Sequence, residues 1–134
     1  MMLASEEKSL HAFALEHYPE LGDVKSRIKS VEDAYKELGK IREMPCGLTD
    51  GEIAYRDLCV VIEAFNEGWR PDFEDMDQPK FFPYFQGREL QALYCVDYFS
   101  SIACVPAPTL VKSRELCNYI AENFTDLYSR WLRG

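Results

Sequence analysis

Four carboxylates in the middle of the chain, Asp72, Glu74, Asp75 and Asp77, are the first residues whose types and spacing suggest chemistry. Clustered carboxylate oxygens are the ligands that Ca²⁺ and Mg²⁺ prefer in proteins. An EF-hand loop, however, needs Asp or Asn at alternate positions and a central glycine, and Met76 interrupts this run. The sequence therefore favours a solvated acidic loop, and we expect neither a metal site nor a cofactor.

Aromatic residues are concentrated around this acidic run and could form a binding surface. They are Trp69, Phe73, Phe81, Phe82, Tyr84, Phe85, Tyr94, Tyr98 and Phe99. A sheet with aromatic side chains on both faces can pack one face on helices and offer the other to a partner protein or a flat base. Nearby cations can pair with phosphates. The sequence favours burial of these aromatic residues in the core. In the alternative, a binding surface, the predicted residues are Trp69, Arg70, Lys80, Tyr84, Arg88, Tyr94 and Lys112.

The start of the last predicted helix is a further candidate, for an anion. Free N–H groups at a helix start, together with Lys112 and Ser113, could hold an anion. A simple N-cap role accounts for Ser113, however, and Glu115 would repel a bound anion. We therefore expect Ser113 to act as a cap.

Signals for catalysis are weak. The sequence contains no Gly-x-Ser-x-Gly, no Walker glycine loop and no His-Glu-x-x-His. His11 and His17 are six residues apart, so they do not share a helix face as a metal pair would. The five cysteines form no Cys-x-x-Cys pair and are interpreted as small core residues in a reducing cytosol. We predict no catalytic residues, and a small hydrolase remains as an alternative.

Length and charge limit the class of protein. A chain of 134 residues with 47% hydrophobic residues fits one domain over residues 1–134 with an ordered core. The net charge of −8 disfavours long nucleic acids and anionic membranes as partners. The sequence shows no secretory signal and no apolar run of the ~20 residues that span a bilayer. We therefore expect a soluble, cytoplasmic protein.

Periodicity and capping signals predict several helices. The first covers residues 5–18, and residues 23–29 form a linker or a short helical turn. A short helix is capped by Ser30 and stopped by Gly39. A third helix is predicted with a capping box at Thr49 and an end at Gly68. The last helix is predicted to run without a break from its cap at Ser113 to Trp131. The apolar stripe of the third helix comprises Ala54, Leu58, Val61, Ile62 and Phe65.

Between the third helix and the last helix, the apolar residues recur with the period that is typical of strands. Residues 80–86 predict an edge or bent strand because Pro83 cannot donate to a ladder. Residues 90–99 predict a long strand, 102–105 a third and 109–112 a short fourth, with a hairpin connection over 86–89. The predicted fold class is α+β: N-terminal helices, an antiparallel meander of three to four strands, and a C-terminal helix packed on the sheet.

Three stretches, residues 28–34, 65–85 and 112–128, occur in this order along the chain. Together they resemble a family of small uncharacterised proteins carried by phages, prophages and mobile elements of gut Bacteroidales. Members of that family show an N-E-G-W-x-P-D turn, a Y-x-P-W/Y-F strand, and a K-S-x-E-L-A-x-Y helix ending in F-x-D-L-Y. The resemblance covers residues 28–132 as an α+β core and leaves residues 1–27 as an N-terminal helical extension.

One segment departs from the family pattern. Members usually carry a Gly-Ser-Arg-Leu run before the last helix, whereas residues 105–110 here contain no glycine and no arginine. If that arginine contributes to a ligand site elsewhere in the family, this chain lacks it. The resemblance implies a fold and a mobile-element origin and supplies no activity.

The function that these observations favour is binding without turnover. Our first hypothesis is a small protein of phage or mobile-element origin that binds a host protein, with a homo-oligomer possible. The alternative is a sponge that sequesters a nucleotide defence signal, with Arg70, Lys80 or Arg88 at the phosphates. An enzyme would instead show a cleft with converging, strongly perturbed titratable groups.

Overall fold

The structure, a computed structural model, describes residues 23–86, 91–98 and 107–133. About half of these residues lie in five α-helices, and two strands and one 3₁₀ helix make up the rest of the regular structure. The helices are α1 Val24–Arg27, α2 Val31–Leu38, α3 Asp50–Asn66, α4 Arg114–Asn123 and α5 Thr125–Arg133; the strands are β1 Lys80–Gln86 and β2 Gln91–Tyr98; the 3₁₀ helix is Ala107–Thr109. The helix predicted over residues 5–18 and the strand predicted over 102–105 lie outside the described residues.

The protein is mostly helical, so the predicted α+β fold with a meander of three to four strands is wrong. Over the described ranges, β1 pairs antiparallel with β2 and no third strand joins them, although α4 contacts both strands. Of the predicted short strand over 109–112, Thr109 ends the 3₁₀ helix and only Val111 forms a bridge, to Phe81. Pro108 lies inside the 3₁₀ helix, where its missing N–H cannot extend a strand ladder.

Helix α3 is the central element, and its start follows the predicted capping box. The Thr49 hydroxyl accepts from the Glu52 N–H at 3.2 Å, and the Glu52 carboxylate accepts from the Thr49 N–H at 3.3 Å. The predicted apolar stripe is buried. The left-handed turn at the end begins one residue before the predicted glycine, because Glu67 already has φ 48° and Gly68 follows with φ 90°.

The shorter helices before α3 are held by similar local signals. Asp23 caps α1, which confirms a short helical turn in the segment over 23–29. The Ser30 hydroxyl accepts from the Asp33 N–H at 3.2 Å, and Gly39 ends α2 with φ 66°. Because α2 is only eight residues long, its stability depends on its packing against α3.

The last predicted helix is broken at Phe124, so its prediction as one continuous helix is wrong. Ser113 caps α4 as expected, with its hydroxyl accepting from the Leu116 N–H at 3.2 Å. The Thr125 hydroxyl then donates to the carbonyl of Ala121 at 2.6 Å. Such a side-chain bond competes with the helical ladder and bends the chain. The break lets α5 pack along α3.

The core lies between α3 and the two C-terminal helices. Phe65 is fully buried, and its ring centroid lies 5.7 Å from that of Tyr119 and 6.0 Å from that of Phe124. Cys117 is buried in this core as predicted, but Cys59 is only half-buried and Cys46 is exposed, so the interpretation of the cysteines as core residues is wrong for Cys46. None of the described helices has the length and apolar composition needed to cross a membrane.

Candidate functional site

An open cleft of about 600 Å³ lies beside α3, and we call it the Trp69 cleft. It is formed where the end of α2, the second half of α3, the turn after α3 and the 3₁₀ helix meet. Its lining residues are Leu38, Lys40, Cys59, Glu63, Asn66, Gly68, Trp69, Arg70, Pro71, Ala107 and Pro108. Ligand pockets commonly have volumes of about 300–1,000 Å³, so this cleft is large enough to hold a small ligand or an anchoring side chain of a peptide.

Trp69 and Arg70 give the cleft its chemical character. The Trp69 indole is half-buried, and its backbone N–H donates to the carbonyl of Asn66 at 2.9 Å. Arg70 is exposed, and among the described residues its guanidinium makes no ion pair. Gln78 holds the backbone in place, since its side-chain amide donates to the Arg70 carbonyl at 3.0 Å. The cleft therefore presents an ordered indole beside an available cation.

The α3 side of the Trp69 cleft is chemically less reactive than the side formed by Trp69 and Arg70. Lys40 and Glu63 pair across it at 2.8 Å, which neutralises both charges. Burial raises the pKa of the Cys59 thiol, so the thiol stays protonated near neutral pH. Because the thiolate is the nucleophilic form of cysteine, Cys59 is poorly suited to attack a substrate.

Asn66 joins the cleft to the segment that precedes α4, and the sequence reasoning missed this residue. Its side-chain amide donates to the carbonyl of Leu110 at 3.0 Å, and its amide oxygen accepts from the N–H of Lys112 at 3.0 Å. Asn66 is 4% exposed. An asparagine at the end of an otherwise apolar stripe was the available signal, because a buried amide needs partners.

Lys80, a predicted phosphate ligand, lies inside the acidic loop instead of lining the cleft. It is fully buried, and its ammonium donates to the carbonyls of Asp75 at 3.3 Å and Gln78 at 3.1 Å. The same ammonium lies 5.5 Å from the centre of the Phe73 ring. These contacts use much of the donor capacity that a phosphate would need.

The acidic loop around Lys80 agrees with the expected solvated connection. Asp72 and Asp75 direct their carboxylates back onto the chain, accepting from the N–H groups of Glu74 at 3.0 Å and Asp77 at 2.9 Å. All four acidic residues are exposed or half-buried. Over the described ranges, no three His, Cys, Asp or Glu side chains are placed to hold a metal ion.

The structure gives less support to a binding role for the other predicted residues. The Lys112 ammonium pairs with the Glu67 carboxylate at 3.2 Å. Tyr84 and Tyr94 are opposite each other in the β1–β2 pairing, but their side chains, and the whole of Arg88, lie outside the described part. Of the predicted set, the structure thus places Trp69 and Arg70 together in one cleft.

A second polar cluster lies under the loop between α2 and α3. The Asp57 carboxylate is 2% exposed, and it accepts from the Tyr35 hydroxyl at 2.9 Å. Arg42 binds the same carboxylate through two nitrogens, at 3.0 and 2.8 Å. The hydrogen bond to Asp57 raises the pKa of the Arg42 guanidinium. The Tyr35 hydroxyl and both carboxylate oxygens of Asp57 have protein partners, so the arrangement is that of a structural anchor.

Because two tyrosines have raised pKa values, we expect the protein to lose stability at alkaline pH. Burial raises the pKa of Tyr35 to about 12, with help from the hydrogen bond to Asp57, and burial also raises the pKa of Tyr55 to about 12. Because an unfolded tyrosine has a pKa near 10, the folded chain retains these protons more strongly. Their contribution is complete below about pH 10 and is lost as the pH rises toward about 12.

Denaturant unfolding followed between about pH 9 and pH 12 checks this expectation. The Tyr35→Phe variant should show a shallower decline over that window, because one of the two titrating groups is gone. An identical decline in the variant would show that Tyr35 does not contribute.

The fold and the cleft define a small, mostly helical protein with one ordered indole beside an available guanidinium. Comparison of the chain with protein-family models, with curated proteins and with solved structures finds no match. Function must therefore be inferred from the chemistry of the Trp69 cleft.

Proposed function

We propose that the chain is a small, non-enzymatic binding protein that holds a segment of a host protein in the Trp69 cleft. The observation that carries this proposal is the half-buried Trp69 indole next to the Arg70 guanidinium, which makes no ion pair with a described residue. Tryptophan and arginine are the residue types that most often dominate the energy of protein interfaces. The origin implied by the family resemblance, a phage or mobile element, and a cytoplasmic location belong to the same proposal.

The chemistry of the cleft specifies what the partner must offer. The indole and the neighbouring Pro71 and Pro108 side chains suit an apolar anchor, and the Arg70 guanidinium suits a carboxylate. The chain as a whole carries a net charge of −8. A partner surface that is basic overall, with one carboxylate aligned on Arg70, therefore complements both the cleft and its surroundings.

Replacing Trp69 by alanine is expected to weaken partner binding at least about tenfold, because a central aromatic anchor is lost. The partner is first captured on the immobilised wild-type chain from a Bacteroidales host lysate and then purified for titration. The sequence contains two tryptophans, so a Trp131→Phe background leaves Trp69 as the only indole. Partner binding in the cleft should then change its emission.

Met76→Ala is the matched control, because Met76 is an exposed apolar residue that does not line the cleft. This variant should bind as the wild type does. A captured protein that binds Trp69→Ala and the wild type equally would contradict the proposed site.

The second candidate is sequestration of a nucleotide signal, and the size of the cleft favours it. A base could stack on the Trp69 indole with a phosphate on Arg70. The placement of the other cations counts against it, since Lys80 donates to two carbonyls and Lys112 pairs with Glu67. Thermal-shift measurement with cyclic mono- and dinucleotides tests this candidate: stabilisation lost in Arg70→Ala would support it, and no stabilisation would exclude those nucleotides.

A further inference from the structure

In residues 40–44, which we call the Ile41 segment, side chains that pair with α3 alternate with side chains that do not, although Lys40 and Arg42 are themselves 47% and 44% exposed. Lys40 and Arg42 both turn toward α3, where each pairs with a carboxylate. Ile41 lies between them and is 82% exposed, and Glu43 is exposed as well. Inward and outward side chains at a period of two are the pattern of an extended chain. The two ion pairs hold Ile41 outward on an ordered backbone.

The backbone of this segment is available for pairing. The Lys40 N–H donates to the carbonyl of Tyr35 at 2.9 Å. Beyond that bond, no backbone hydrogen bond within the described chain involves residues 41–44. A row of unpaired N–H and C=O groups on an extended chain is a template for a strand from another molecule.

The Ile41 segment is continuous with the Trp69 cleft. Leu38 and Lys40 line the cleft, and Ile41 follows directly. A peptide lying along the segment therefore borders the cleft at Lys40. Ile41 does not belong to the buried core. It is the most exposed of the large apolar residues that the structure describes. An exposed isoleucine on an ordered, unpaired backbone is the kind of anchor that strand addition uses.

We propose that the partner binds as an extended strand beside the Ile41 segment, an inference that rests on the proposed function and specifies its binding mode. Main-chain hydrogen bonds form to residues 41–44, and an aliphatic or β-branched partner residue packs on Ile41. The same strand places its apolar anchor in the Trp69 cleft and its carboxylate on Arg70. Extended peptides gain affinity from main-chain bonds and specificity from alternate side chains.

A displayed library of random linear peptides, selected on the wild-type chain, supplies a probe for this mode. The selected peptides should contain an apolar residue next to an acidic one, and Ile41→Lys should weaken their binding at least tenfold. Met76→Lys and Leu132→Lys are matched controls, because both replace exposed apolar residues away from the segment, and both should leave binding unchanged. N-methylation along a selected peptide should weaken binding at every second position, as strand pairing requires.

The outcomes separate the two proposals. Loss of binding in Trp69→Ala together with unchanged binding in Ile41→Lys would overturn strand addition and leave the cleft as the site. Weakening by N-methylation without a period of two would also overturn strand addition. Unchanged binding in both variants, or a library that yields no binder, would overturn the cleft as well.

Discussion

Arg42→Met is expected to lower the free energy of unfolding by about 3 kcal/mol, because it removes one partner from a buried ion pair. The Asp57 carboxylate is almost fully buried, and Arg42 supplies two of its three hydrogen bonds. Without Arg42 the carboxylate keeps only the Tyr35 hydroxyl. The arginine itself is partly exposed, which places the expected loss at the lower end for broken buried pairs. Urea unfolding of the two proteins measures it.

Arg130→Met is the matched control for this substitution. Arg130 also binds an aspartate through two nitrogens, but that aspartate, Asp50, is 67% exposed. Exposed pairs contribute little to stability, so the loss should be at least about twofold smaller than for Arg42→Met. Equal losses at Arg42 and Arg130 would show that burial of Asp57 does not set the cost.

A second substitution, Asp57→Leu, tests the same anchor from the other side. Added to Arg42→Met, it removes the unpaired buried charge and should recover part of the lost stability. Further loss in the double variant would mean that Asp57 stabilises the fold without its arginine.

Asn66→Ala is expected to cost about 2–3 kcal/mol of unfolding free energy, because it leaves two backbone groups without their partner. Those groups are the carbonyl of Leu110 and the N–H of Lys112, which the Asn66 side chain now binds at 3.0 Å each. The same change releases the segment that carries Ala107 and Pro108 onto the rim of the Trp69 cleft. Thermal and urea unfolding measure the stability; titration with a selected peptide measures the cleft.

Asn123→Ala is the control, since the Asn123 amide donates to the carbonyl of Tyr119 at 2.8 Å in an exposed position. Its expected cost is within about 0.5 kcal/mol. Asn66→Asp adds a finer test, because it keeps the acceptor for Lys112 and loses the donor to Leu110. A cost for Asn66→Ala no larger than that for Asn123→Ala would show that the two bonds are not stabilising.

Local signals were predicted well from the sequence because local contacts produce them. The caps at Ser30, Thr49 and Ser113 each depend on a hydroxyl and an N–H three residues later. The apolar stripe of α3 follows from helical spacing alone. The break at Phe124 was missed, since it needs neither proline nor glycine and arises from a threonine hydroxyl bonded to the previous turn.

The predicted fold class was wrong because strand pairing depends on residues that are far apart in the sequence. An alternating apolar segment predicts a strand, but it does not specify how many neighbours that strand will have. The segment before α4 satisfies its backbone through the Asn66 side chain and a single bridge to Phe81, instead of through a ladder. The long-range partners of Asn66 and Lys80 are set by the tertiary structure, so the sequence indicated Trp69 and Arg70 but did not separate them from Lys80.

The buried ammonium of Lys80 has a consequence for how the acidic loop responds to its surroundings. In many acidic loops a dissolved cation supplies the charge that orders the carbonyls. Here the chain supplies that charge covalently, at 3.3 and 3.1 Å from two carbonyls. The Lys80 ammonium thus serves as the cation of the loop after Trp69. We therefore expect the order of the turn beside the cleft not to depend on the calcium or magnesium concentration.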